Sequence, residues 1–195
     1  MNITSVEPTD ARLRPLLEAA IVVFRRFGYR KASMDDVARA AGVSRQGLYL
    51  MFSNKEELFR KALEHALNSQ LTAALAVLSD ASRRLDERLI AACDEWAGRF
   101  VGSLGADATD LMCAGHALAG DTLASYGARF EQGLAATIAE SALTKRCRSL
   151  GVEPCELAKA LHATTRGLKQ SSTSREEFTK GIAASVRMMC ASPKS

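Results

Sequence analysis

A chain of 195 residues, 47% apolar and 25% charged, can bury a sizeable core in one domain or a small pair, and is neither a disordered nor a membrane-spanning polymer. No apolar run approaches the ~18 residues of a spanning helix. The opening MNITSVEPTDARLR lacks the charged-then-apolar layout of a signal peptide, so a cytoplasmic protein without a membrane partner is expected.

The net charge of +4 is unevenly spread. Arg12, Arg14, Arg25, Arg26, Arg30, Lys31, Arg39 and Arg45 face only Glu18, Asp35 and Asp36 over the same stretch, whereas residues 66–195 hold fifteen basic and fourteen acidic groups. Positive charge gathered near the N-terminus suits a polyanionic partner.

In chain order, Leu13, Leu16, Leu17, Ala20, Phe24 and Phe27 recur at helical spacing, with Pro15 tolerable only near the start of that helix. Ser33 then caps a short helix with Asp36 placed to complete a capping box, and Val37 and Ala41 share its apolar face. Gly42 offers a left-handed stop and Val43 a hydrophobic plug. Ser44 caps a second short helix whose buried side is Leu48 and Phe52. Two short helices joined by a tight Gly-containing turn make a helix-turn-helix, whose second helix enters the DNA major groove. Arg45 and Gln46 stand at its N-terminal end, where Arg can pair with guanine and Gln with adenine. Gly47 has no side chain to hold the backbone off a duplex, and Tyr49 and Lys55 offer a hydroxyl and a charge to phosphates. Ser33, Ser44, Arg45, Gln46, Gly47, Tyr49 and Lys55 are thus the candidate DNA-binding residues.

Ser53-x-x-Glu56 reads as a capping box for a fourth helix, unbroken to about residue 79, with Leu58, Phe59, Ala62, Ala66, Leu67, Ala74 and Leu78 as its stripe. Leu85, Leu89, Ala92, Trp96 and Phe100 mark a fifth. Seven of the thirteen glycines lie between Gly98 and Gly133, predicting short, bent or mobile segments. Tyr126, Phe130, Leu134 and Ile138 mark a helix ending near Gly151, with Lys145, Arg146 and Arg148 at its negative pole. Pro154 opens another, with Leu157, Leu161, Thr164 and Leu168 inward. Ser174-x-x-Glu177 boxes the last, carrying Phe178, Ile182, Val186 and Met189. The expectation is an all-α protein of about nine helices.

The segments 16–44 and 47–59 resemble the tetracycline-repressor (TetR) family of bacterial transcription regulators. The resemblance rests on Phe24-Arg25-Arg26-Phe27-Gly28, Ser33-Met34, Ala38, Ala41-Gly42-Val43-Ser44, Leu48-Tyr49, Phe52 and Lys55-Glu56-x-Leu58. The chain departs from the family pattern at Met51, where His or Tyr often contacts a phosphate. It departs again at Gln46-Gly47, where Gly-Thr is frequent, so the base-reading pair is particular to this protein. The resemblance implies a DNA-binding domain over 1–60, joined by helix 4 to an effector-binding and dimerisation domain over 61–195. Its implied partners are a double-stranded operator, a small-molecule effector and a second copy of the chain, which together describe a dimeric, ligand-released repressor. Trp96, Phe100, Met112, His116, Tyr126 and Phe130 are then candidate effector contacts, each otherwise an ordinary core residue. Leu161, Leu168, Phe178, Ile182, Val186 and Met189 are candidates for a four-helix dimer bundle, the alternative being that both stripes face this chain's own core.

Five scattered cysteines (Cys93, Cys113, Cys147, Cys155, Cys190) form no C-x-x-C, and three histidines (His65, His116, His162) form no His-x-x-x-His pair, so no metal or cofactor is expected. Phosphate loops, nucleophile elbows and paired carboxylates are absent from the sequence, which opposes an enzyme. A thiol-based redox-sensing regulator and, more remotely, a small helical enzyme or carrier retaining the N-terminal fold are the rival readings.

Overall fold

The structure, a computed structural model, describes residues 8–102 and 108–191. The segment 1–7, where a leader was sought, and Gly105 lie outside the described residues, as does the side chain of Arg12. The described residues form helices α1 (Pro8–Lys31), α2 (Met34–Ala41), α3 (Arg45–Met51), α4 (Lys55–Ser79), α5 (Leu85–Trp96), a 3-10 turn (Gly98–Phe100), α6 (Ala108–Ala139), α7 (Leu143–Ser149), α8 (Pro154–Ser171) and α9 (Arg175–Cys190), with no strand among them. None of these helices is long and apolar enough to cross a membrane.

The helices gather into two compact units, one of residues 8–68 and 108–123, the other of 69–102 and 124–191. The boundary drawn at residue 60 therefore cuts through α4. Both α4 and α6 run on from one unit into the other.

In the first unit Phe24 is wholly buried, with Phe59 edge-on at 5.1 Å and Tyr29 stacked at 6.1 Å. Leu16 and Ala20 of α1, Val37 and Ala38 of α2, Leu48 of α3, Leu58 and Ala62 of α4, and Ala114 of α6 close the same core. Each fully buried Leu or Phe contributes about 1.5–3 kcal/mol, so this small unit rests chiefly on these contacts. Pro15 sits in the interior of α1 rather than at its start, because the helix begins a turn and more earlier at Pro8. At Gly28 (φ 75°, ψ 170°) α1 kinks into a conformation that disfavours any residue with a Cβ. Phe27, beside that kink, is 39% exposed and lies under the Arg26 guanidinium instead of joining the stripe.

The second unit is centred on Phe130, Leu134 and Ile138 of α6, Leu89 of α5, Leu161 of α8, and Phe178 and Ile182 of α9. α9 packs on both α5 and α8. A Cβ at Gly98 would lie 2.8 Å from the Phe178 ring, so the 3-10 turn needs glycine there. The glycine-rich stretch does bend: 108–139 is two helical stretches meeting at non-helical Ala119 (φ −146°, ψ 30°). The helix expected to run on to Gly151 is instead two. Ser141 donates to the Ile138 carbonyl (2.6 Å) and accepts from the Leu143 N–H (3.2 Å), offering the backbone an alternative to the next helical turn. Gly151 (φ 67°) follows α7 in the left-handed region.

Candidate nucleic-acid interface

The frame of the helix-turn-helix is set by its caps. Ser33 Oγ accepts from the Asp36 N–H (3.2 Å) while the Asp36 carboxylate accepts from the Ser33 N–H (3.1 Å) and hydroxyl (2.5 Å). These bonds, the hydroxyl's foremost, hold the Asp36 carboxyl below its ordinary range. Ser33 thereby serves the start of α2. Gly42 (φ 67°) closes α2, its N–H and that of Val43 donating back to Arg39 and Ala38 carbonyls. Val43, expected as a buried plug, is 37% exposed because these backbone bonds complete the turn without it.

Ser44 Oγ accepts from the Gly47 N–H at 3.0 Å and starts α3. A Cβ at Gly47 would stand 3.1 Å from that same oxygen, which gives glycine a local reason to be there. α4 is capped one residue later than the sequence pattern suggests. Asn54 Oδ1 accepts from the Glu57 N–H (2.9 Å), and the Glu57 carboxylate returns to the Ser53 N–H (2.8 Å) and hydroxyl (2.6 Å).

On α3, Leu48 is fully buried and Arg45, Gln46, Tyr49, Leu50 and Met51 are exposed. The Arg45 guanidinium pairs with Asp35 (2.7 Å) and lies 5.6 Å above the Tyr49 ring. An exposed pair of this kind is worth about 0–1 kcal/mol and yields readily to a better anion. Several other cations of the N-terminal cluster are similarly engaged, Arg14 with Glu18 (3.0 Å), Arg30 with Asp110 (2.8 Å) and Arg39 with Asp36 (3.6 Å). Arg25 is half-buried, and loss of water pushes its guanidinium down to about 10.

Lys55, a candidate phosphate contact, is engaged within its own chain. Its ammonium donates to the carbonyls of Tyr29 (3.0 Å), Arg30 (3.3 Å) and Ala32 (3.1 Å), and sits 4.6 Å from the Tyr29 ring centre. Three protons meet three acceptors, and those acceptors are carbonyls at and just beyond the end of α1, beyond its kink. This role was invisible in sequence because it joins residues 23–26 positions apart.

Of the six candidate effector contacts, four belong to the second unit and two to the first. Trp96 and Phe130 stack at 4.8 Å in the second unit, whereas Met112 and His116 are exposed on the first half of α6, which belongs to the other unit. Phe100 and Tyr126 are half-buried. The group that Trp96 and Phe130 do join is His162, edge-on to both rings, a residue the sequence offered only as an ordinary histidine. Trp96 Nε1–H donates to His162 Nε2 (3.3 Å), and His162 Nδ1 meets the Glu131 carboxylate at 2.8 Å, an arrangement that assigns the proton to Nδ1. The buried histidine anticipated at His116 is thus at His162. Of the described surface, a cleft of about 490 Å³ runs along Ser53, Asn54, Glu57, Arg60, Lys61 and Thr122, and one of about 200 Å³ lies among Leu143, Cys147, Val152, Leu157 and Met189. None of the six candidates lines either.

The proposed dimer residues face inward. Leu161, Phe178, Ile182 and Val186 have no exposed surface, and Leu168 and Met189 are half-buried, so the stripes of α8 and α9 fill their own chain's core. The sequence pattern marks an apolar face without saying whose core it enters. The outward faces of the pair carry Ala160, Ala163 and Gly167 on α8 and Ala184 and Met188 on α9.

All five cysteines are free; Cys93 and Cys147 are buried, Cys113 and Cys155 exposed. Burial pushes the Cys93 thiol up to about 12, far from the thiolate that reacts. Among the described residues no three His, Cys, Asp or Glu side chains are grouped to hold a metal ion.

Residues 16–62 match the family model described as bacterial regulatory proteins, tetR family. Over 81 residues the chain is 40% identical to the HTH-type transcriptional activator FasR of Mycolicibacterium smegmatis, covering 40% of this chain and 37% of that protein. Over 53 residues it is 32% identical to IcaR, the biofilm operon icaADBC HTH-type negative transcriptional regulator of Staphylococcus epidermidis, covering 27% and 29%. The match thus spans about a third of the length of these relatives. A crystal structure of a transcriptional regulator from Rhodococcus sp. Rha1 superposes with a TM-score of 0.67 over 91% of this chain and 95% of that one, at 22% identity, a likeness of fold. The sequence signature of the tetR family thus lies in the helix-turn-helix segment, and the likeness of fold extends over both units.

Proposed function

We propose that the protein is a sequence-specific DNA-binding transcriptional regulator, acting as a dimeric repressor that a small-molecule effector releases from a roughly two-fold symmetric operator. The outward face of α3 carries this reading. Arg45 and Gln46 stand exposed, Gln46 opposite buried Leu48 and Arg45 at the edge of that face, on a helix capped by Ser44 and packed on α2. Arg45 would exchange Asp35 for guanine or a phosphate, and Gln46 would meet adenine. Relatives regulate in both directions. Repression needs only that the occupied operator exclude other proteins, so it asks nothing of the chain beyond the binding itself.

Two reading heads imply two copies, and the surface left for pairing is the outer side of α8 and α9, where Ala163, Gly167 and Ala184 permit close approach and Met188 is 75% exposed. Release requires that an effector favour one arrangement of the two heads over another, since equal affinity for both shifts nothing. Two features suit such coupling. α4 and α6 are each continuous from one unit to the other. Asp110, in the first turn of α6, accepts from the Arg30 N–H (2.8 Å) just past the kink of α1.

The test is selection of bound duplexes from a random pool, then affinity for the selected site against a scrambled one at ~0.15 M salt. Enrichment of a roughly palindromic site supports the reading. Equal affinity for every duplex removes it.

A further inference from the structure

We infer that Leu50 is a specificity-determining residue that reads the methyl group of a thymine, so that each operator half-site carries an A·T pair close to the base contacted by Gln46. The inference rests on the DNA-binding reading above and goes beyond it to one named base. Leu50 is 82% exposed, the highest value among the large apolar side chains of the described residues. Its place on α3 accounts for that. At about 100° per residue, Gln46 and Leu50 each point some 160° away from buried Leu48, on either side of the direction opposite the core. Arg45 and Met51 flank that core at about 60°, and Gly47 and Tyr49 lie near 100°, in keeping with the lower exposures of Tyr49 (43%) and Met51 (39%). Of the seven residues of α3, the two aimed straight outward are therefore an amide and a branched hydrocarbon one helical turn apart.

An isolated exposed leucine needs no explanation. One on the central line of the face that enters a major groove has a specific chemical counterpart. In that groove only thymine offers an apolar group, its C5-methyl, while adenine offers the N7 acceptor and N6 donor that suit a glutamine amide. Gln46 and Leu50 are separated by about 6 Å along the helix axis, against ~3.4 Å between stacked bases, so the thymine lies within about two base pairs of the adenine. Basic Arg45 at the edge of the same face favours a polyanion over an apolar protein surface as the occupant.

The experiment uses the full-length protein and the operator obtained by selection. Each thymine of the half-site is replaced in turn by uracil, which pairs identically and lacks only the methyl, and affinity is read by fluorescence anisotropy for the wild type, Leu50→Ala and Gln46→Ala. At one thymine per half-site, uracil should weaken wild-type binding about fourfold, the effect of one methyl left unburied. Leu50→Ala should bind thymine and uracil versions of that site equally, while Gln46→Ala keeps the fourfold difference. Because Leu50 is 82% exposed, circular dichroism and melting of Leu50→Ala should match the wild type. Wild-type indifference to uracil at every position, a selected half-site without A·T pairs, or full thymine preference in Leu50→Ala would each overturn the assignment while leaving DNA binding standing. Absence of any selected site would overturn both.

Discussion

Replacing Lys55 by Met keeps most of the side chain's length and removes only its charge and donors, which isolates what the ammonium does. If its work is to close α1, the loss appears as stability. Capping a helix C-terminus with a cation is worth about 0.3–1 kcal/mol, and a partly exposed cation–π contact about 0.5–1. Two of the three carbonyls it serves, those of Tyr29 and Ala32, are part-buried. Recovering their hydration only in part adds about 1 kcal/mol. The sum is about 2–3 kcal/mol, or a fall of about 5–10 °C in the melting temperature of a chain this size. If instead Lys55 neutralised a phosphate, the slope of log K against log salt would flatten by about 0.9 and stability would hardly move. Thermal melting and a salt titration of operator affinity on the same preparation separate the two. An unchanged melting temperature together with a slope reduced by about one unit would refute the structural role.

Arg45→Ala and Gln46→Ala should each relax preference at particular base pairs by about 1–3 kcal/mol while leaving random-duplex affinity much less affected, and equal losses on both substrates would sink the base-reading roles. Ile182→Glu should unfold the second unit, since it buries an unpaired charge in a core that has no exposed surface there, whereas Met188→Glu should leave circular dichroism intact and yield monomers in sedimentation; the reverse outcome would return the dimer interface to the inner stripe. The Asp36, Glu57, Asp110 and Glu177 carboxyls all lie below their ordinary range, held there chiefly by hydrogen bonds from Ser33, Ser53, the Arg30 backbone and the Thr173 backbone. Their contribution to stability is therefore complete above the unfolded-state range near pH 4 and is lost as pH falls through their depressed folded values. Acid titration followed by circular dichroism should place the unfolding of Glu57→Gln with a shallower pH dependence than the wild type. Iodoacetamide applied to the native protein should label Cys113 and Cys155 ahead of Cys93 and Cys147 without weakening operator binding, and a loss of binding would favour a redox sensor.

What was legible in the sequence was local. The Ser33–Asp36 box, the left-handed Gly42, the Ser44 cap and the Ser174 cap each join residues within one turn where the spacing puts them, although the Glu177 carboxylate expected to complete a box on Ser174 returns to Thr173 instead. The Ser53 box slipped by one residue because Asn54, an equally good cap, stands beside it. Long-range partners were not legible. Nothing near Lys55 announces the Tyr29 carbonyl, nothing near His162 announces Trp96, 66 positions away, and an apolar stripe on α9 is the same stripe whether α5 or a second subunit covers it. The bend of α6 fell at Ala119 rather than at a glycine, since a kink follows the packing around it and glycine only lowers its cost.

The seven residues of α3 are too few to hold a helix by themselves, because nucleation is costly and short helices are marginal in water. Its stability comes from outside its own outward face: Ser44 at one end, Leu48 and Phe52 packed beneath, and the capped α2 and α4 on either side. Gly47 gives its N–H to that cap, and a Cβ there would ask the Ser44 hydroxyl to give slightly. Gln46 and Leu50 bear on none of this support, and Arg45 adds to it only an exposed pair with Asp35 of α2. A change at Gly47 should therefore bear on the Ser44 cap as well as on the outward face, while changes at Gln46 or Leu50 should leave the fold intact. If these side chains read bases, one rigid frame can carry many reading faces, and the choice of operator then lies in the side chains rather than in the architecture that presents them.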